Sequence, residues 1–162
     1  MVTNNPLPGI ARIQALSVLV LAAVLLPLQF PAFAQEFPEL TGRVTVAAGI
    51  IPDDVEARLT EKLETLEIQS QRQLVVATIP DLQGYDIADY GYRLGREWGI
   101  GDKERNDGAL LIVAPSERKV RIEVGYGLEP VLTDGLSWRI INTDIVPRFK
   151  DGDMPGGIEA GV

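Results

Sequence analysis

The stretch NDGALLIVAPSERKVRIEVGYGLEPVLTD, residues 106–134, decides the fold. Ala109 to Val113 is an unbroken apolar run, as expected of a strand covered on both faces. Ala114-Pro115-Ser116-Glu117 supplies a turn. Val120, Ile122 and Val124 then alternate with Arg121 and Glu123, so the following strand has one wet face. The short connection makes the two strands a hairpin. Gly125-Tyr126-Gly127 breaks the second strand, and Asp134 opens a helix as its N-cap. Oxygen-bearing side chains stand at three joints of this run: Asn106 and Asp107, then Glu129, then Asp134. Loops at strand ends are where function concentrates.

Working outward, Val44 to Ala48 reads as a short first strand after an extended lead-in over 35–43. Pro52-Asp53-Asp54 starts a helix, and Val55, Leu59, Leu63 and Leu66 give it an apolar face as far as Ser70. Gln73 to Ile79 is a β-branched apolar run, a second central strand. Asp86 caps a helix whose face is Ile87, Tyr90, Leu94 and Trp98. After Asp134 the apolar positions Leu136, Ile140, Ile141 and Ile145 mark a helix that Pro147 limits. Ile158 to Val162 reads as the first turn of an incomplete helix. Strand, helix, strand, helix, strand, strand, helix is the order of a small α/β sandwich with a mixed sheet.

The chain has no His and no Cys. That excludes a Ser-His-Asp triad, a thiol nucleophile, an imidazole base and disulfides. It disfavours zinc and copper and leaves oxygen ligands, which suit Ca²⁺ or Mg²⁺. A net charge of −8 opposes binding to a nucleic-acid backbone.

Arg12 is the first charge, Ala15 to Leu28 is apolar apart from Ser17, and Ala32-Phe33-Ala34 precedes Gln35. This is the pattern of a signal peptide, residues 1–34, cleaved after Ala34. The alternative is an uncleaved membrane anchor, although a full span wants about 20 apolar residues. Export places the protein in a periplasm or lumen-like compartment. Cleavage would remove Arg12 and no acid, shifting the charge from −8 to −9.

Each candidate residue has a plainer role. Asn106-Asp107-Gly108 carries the residues a tight turn wants, and Asp107 is also a candidate ligand with Asn106 as a supplementary donor. The glycines around Tyr126 indicate backbone angles open only to Gly, or close approach by another group. Pro130 stands where a dinucleotide fingerprint needs its third glycine, which rules that motif out. Glu129 is either a fixed ligand or a water-facing side chain. Asp134 is a cap, and serves a cation only if its two oxygens divide the work. Asp151-x-Asp153 and Asp102-x-Glu104-x-Asn106 imitate calcium loops, but the first has Pro155 at the third ligand position and Val162 in place of the bidentate Glu, and in the second Gly108 falls one place late, so both read as solvated acidic loops.

The chain resembles the TPM-domain family. The matching segments include Val44-Thr45 with Ala47-Ala48-Gly49, Gln73-Leu74-Val75-Val76, Trp98-Gly99-Ile100-Gly101 and Asn106 to Val113. Val120 to Glu129, Gly152-Asp153 and Gly157-Ile158 continue the match over 44–162. The resemblance implies an exported domain with a three-layer α/β/α sandwich, often tethered to a membrane. For plant relatives it implies a link to photosystem repair and acid phosphatase activity, and for bacterial ones divalent-cation binding. Two positions depart from the family's pattern: Val46 replaces an Asp, and Asn106-Asp107 reverses an Asp-Asn order. The expected function is cation binding through Asp107, Glu129 and Asp134, with weak phosphatase activity. The alternative is a non-catalytic module that maintains a membrane-protein complex.

Overall fold

The computed structural model describes residues 35–162. The signal-peptide reading lies outside them. Four strands form one sheet in the order β1 (Val44–Val46), β2 (Leu74–Thr78), β3 (Ala109–Ala114), β4 (Lys119–Val124). The first three are parallel, and β4 returns antiparallel to β3 with Ala109 opposite Val124. The hairpin and the mixed sheet are as the sequence indicates.

Alternate residues of the sheet feed two cores. On one face Val76, Leu111, Val113 and Ile122 pack with Val55, Leu59 and Leu63 of α1 (Asp53–Ser70). The same cluster includes Ile145 and Ile158, from the C-terminal helices. On the other face Val75, Ala77, Leu110 and Ile112 pack under Tyr90 and Leu94 of α2 (Ile87–Glu97). Phe37 and Leu40 of the lead-in complete that second core. Phe37 meets Tyr90 edge to face at 5.2 Å, and the Trp98 indole N–H donates to the Pro38 carbonyl at 3.0 Å. This is a three-layer α/β/α sandwich.

The two crossovers differ in hand. β1, β2 and β3 are neighbours in chain order, so two crossovers of the same hand would put α1 and α2 on the same face. They lie on opposite faces. One connection is therefore left-handed, against the strong right-handed rule.

Two sequence expectations change at the C-terminal side. Thr133, not Asp134, is the N-cap of α3 (Asp134–Arg139), its hydroxyl accepting the Leu136 N–H at 3.2 Å. Pro147 does not end the helix. The chain widens into a π-helical segment, Ile140–Ile145, in which the Val146 N–H reaches the Ile141 carbonyl five residues back. Pro147 lacks an N–H, and its ring would collide with a carbonyl four residues back in a regular helix. The wider turn relieves both problems and sets Pro147 in the first turn of α4 (Val146–Lys150). Thr143 Oγ1 and Asn142 Nδ2 donate to the Arg139 and Trp138 carbonyls, four residues back. The last helix, α5 (Met154–Gly161), begins earlier than the apolar pattern suggests, because Asp153 caps it by accepting the Gly156 N–H at 2.9 Å. Among the described residues, no helix is long and apolar enough to cross a membrane.

Candidate functional site

Three backbone segments cross at the N-terminal end of β3. They are the loop leaving α2 at Ile100-Gly101, the segment Asn106 to Gly108, and the elbow Gly125 to Leu128 after β4. The Gly125 N–H donates to the Gly108 carbonyl at 2.8 Å, and the Gly127 N–H to the Asn106 carbonyl at 2.9 Å. The Gly101 N–H donates to Gln73 Oε1 at 2.7 Å, tying the loop to the start of β2. Leu128, buried, anchors the far side of the elbow.

The glycines are there for proximity. Neither Gly125 nor Gly127 has a positive φ. A Cβ on Gly127 would strike the Arg105 carbonyl, one on Gly125 the Asn106 carbonyl, and one on Gly108 would come 2.6 Å from the Ile100 carbonyl. Of the two explanations that sequence leaves open, close backbone approach is the one realised.

Around this clasp the predicted residues part ways. Asn106 and Glu129 line one open cavity of about 480 Å³, with Asp102, Lys103, Tyr126 and, from α2, Tyr92 and Arg96. Arg96 is held against Tyr92, donating to its hydroxyl at 2.8 Å. Asp107 lies on the other side of the loop, in a second cavity of about 370 Å³ with Arg43, Glu67 and Arg105. Asp134 is exposed in the first turn of α3 and lines neither cavity. Among the described residues, no three acidic side chains are grouped to hold a metal ion.

Asp107 is buried, and both of its oxygens are engaged. Oδ2 accepts from Arg105 Nε at 2.7 Å and Oδ1 from the Asp102 N–H at 3.2 Å. Asp102 Oδ1 in turn accepts the Glu104 and Arg105 N–H groups at 3.0 and 2.9 Å. The acidic loop that reads as solvated is thus folded on its own carboxylates, an Asx-type turn. Asp102, Arg105 and Gln73 carry this geometry, and no periodicity in the sequence marks them.

The Arg105 hydrogen bond holds the Asp107 carboxyl below its ordinary range, against the opposing effect of burial. Asp102 is lowered as well, mainly by the two backbone N–H groups it accepts. A carboxylate whose folded pKa is depressed stabilises the fold above its unfolded pKa, and that stability is lost as pH falls through the folded value. We expect the urea midpoint to fall below about pH 4. Asp107→Asn should flatten that acid limb, and an unchanged limb would show that the ion pair contributes nothing to it.

The profile of the TPM domain matches residues 44–162. The chain belongs to the TPM-domain family. A solution structure, the N-terminal domain of a P. gingivalis protein, shares 34% identity over 75% of this chain and 77% of that one, with a TM-score of 0.70. The N-terminal domain of a Corynebacterium glutamicum protein (19% identity, 79% and 80% coverage, TM-score 0.59) shares the fold. So does the BA42 protein of Bizionia argentinensis (18%, 68% and 75%, 0.59). Comparison with curated proteins gives no match. The TPM match spans every strand of the sheet and the whole clasp, so the glycine crossing lies inside the family domain.

Proposed function

We propose that this TPM domain is an exported module that binds a divalent cation, Ca²⁺ or Mg²⁺, at the clasp cavity. The observation that carries the reading is that Glu129, Asn106 and Asp102 share the wall of one cavity, although they come from segments on both sides of the clasp. They supply two carboxylates and an amide oxygen, all hard donors suited to these cations, although Asp102 Oδ2 also lies 3.6 Å from Arg105 Nη1. Asp107 serves the site indirectly, by fixing the loop through Arg105. With no three acids converging, water would complete the coordination shell, which places affinity in the weak, millimolar class typical of extracellular sites. Asp134 is free of the capping bond that Thr133 makes, so its carboxylate is open to a cation arriving beside α3.

Export follows the apolar run from Ala15 to Leu28 and the Ala32-Phe33-Ala34 segment ahead of Gln35. Phosphomonoester hydrolysis would draw on the same cation, with Arg96 and Lys103 facing a phosphate. The cavity offers no Ser, Thr or Cys nucleophile, so attack would fall to water. The second reading, a non-catalytic module for a membrane-protein complex, is favoured by Tyr126, which lines the cavity and is largely exposed.

Titration of the exported protein with Ca²⁺ and with Mg²⁺, followed by amide NMR, tests the first reading. Shifts should concentrate at residues 102–106 and 125–134 and vanish in Glu129→Gln. Absence of shifts at millimolar cation would overturn it.

A further inference from the structure

The sheet has two edges, and they differ. β1 is a three-residue strand, and shortness is one way natural sheets blunt an edge. β4 is six residues long and holds no proline, and its unbroken register against β3 leaves no bulge to turn the edge aside. The Gly125 N–H donates to the Gly108 carbonyl, and bonded pairs alternate along an antiparallel ladder. Lys119, Arg121 and Glu123 therefore turn their backbone groups toward β3. Val120, Ile122 and Val124 turn theirs to the open side. Among the described residues, no other backbone group bonds to the N–H or C=O of those three. Tyr92, exposed, shares a cavity with Glu123 and Val124, so an aromatic ring flanks this edge.

We propose that β4 pairs antiparallel with β4 of a second copy of this chain, joining the two sheets edge to edge. The inference is independent of the cation reading. The pattern Lys119-Val120-Arg121-Ile122-Glu123-Val124 selects both the occupant and the register. With Ile122 opposite Ile122, Arg121 of each copy faces Glu123 of the other, and Val120 faces Val124. Every outward N–H and C=O of the three residues then meets an outward partner. Sliding by one pleat repeat sets Arg121 against Arg121, or Glu123 against Glu123, and like charges directly opposite are destabilising. A slip of a single residue brings outward backbone groups against inward ones. Within one copy Arg121 Nε meets Glu123 Oε2 along the strand at 2.6 Å. In the pair these contacts merge into one alternating cluster of charges across the two-fold axis. On the other face Val120, Ile122 and Val124 already pack with the first core, so pairing extends that apolar row from one copy to the next.

Light scattering on a concentration series of the protein recovered from expression of the full 1–162 chain tests the proposal. The mass should double as concentration rises, and amide exchange at Val120, Ile122 and Val124 should slow over the same range. Arg121→Glu and Glu123→Arg each set like charges opposite one another, and each should weaken the dimer about tenfold or more. Combining the two substitutions restores facing opposites and should restore the dimer. Circular dichroism of each variant separates a lost interface from a lost fold. A monomer through the millimolar range overturns self-pairing and leaves the edge to a strand of another protein. A dimer indifferent to both single substitutions, or one whose three amides exchange independently of concentration, places the interface elsewhere and overturns it too. A folded double variant that stays monomeric where the parent dimerises overturns the register.

Discussion

Gly127→Ala should destabilise the domain by about 3 kcal/mol, in the upper part of the range for forced overpacking. The added methyl would occupy the place of the Arg105 carbonyl oxygen. Backbone cannot rotate aside as a side-chain tip can. Relief requires the elbow to move off the loop, which breaks the bond from the Gly127 N–H to the Asn106 carbonyl. The site is lost in the same step, because Asn106 and Glu129 stand on the two segments that separate. Gly42→Ala is the comparison, since a Cβ there meets nothing within 4 Å. The check is a urea midpoint at unchanged slope for both variants. A Gly127 variant as stable as the Gly42 variant would mean that the clasp is loose.

Ile145→Ala should cost about 3 kcal/mol or more, as deletions of fully buried aliphatic side chains do. Ile145 has no exposed surface and sits in the π-helical segment, within the core shared with Leu111 and Ile158. A Cβ on Gly161 would come 2.7 Å from Ile145 Cγ1 and 3.7 Å from Leu111, so α5 is seated directly on this side chain and the sheet beneath it. The cavity would loosen α5 first, seen as fraying of Met154–Gly161 by amide exchange before global unfolding. Trp138→Ala, two-thirds exposed at 66%, should change stability by less than about 0.5 kcal/mol. Similar losses from the two variants would contradict the assignment of Ile145 to the core.

The sheet was legible because its signals are local. The apolar runs at Leu74–Thr78 and Ala109–Ala114, and the alternation in Lys119–Val124, each report burial within a few residues. The caps show the limits of that approach. Thr133 and Asp134 are both good capping residues, and only the backbone decides which one sits a residue outside the helix. Pro147 carries an honest stop signal that the π-helical segment overrides at a distance. At the site, the structure sets Asn106 and Glu129 in one cavity and places Asp107 and Asp134 outside it. Asp107 is committed to Arg105 across a single intervening position, and Asp102 closes the turn on itself. Those are contacts of a folded loop, with no period to betray them. The glycines were legible as constraints, but which backbone they admit depends on β4 coming back beside the α2–β3 loop.

The left-handed crossover bears on whether the molecule can exist alone in water. The face under α2 presents Val75, Ala77, Leu110 and Ile112, all nearly inaccessible. The opposite face already has α1 and the C-terminal helices upon it. Had the two connections shared one hand with α1 where it is, α2 would have joined that crowded side. The lead-in strap would then have been left alone over four contiguous aliphatic side chains. A sheet so exposed seeks another sheet, by dimerisation or by aggregation. The difference in hand thus covers both faces of the sheet from within one chain. A folding error that removed it would be expected to surface as self-association rather than as a simple loss of helix.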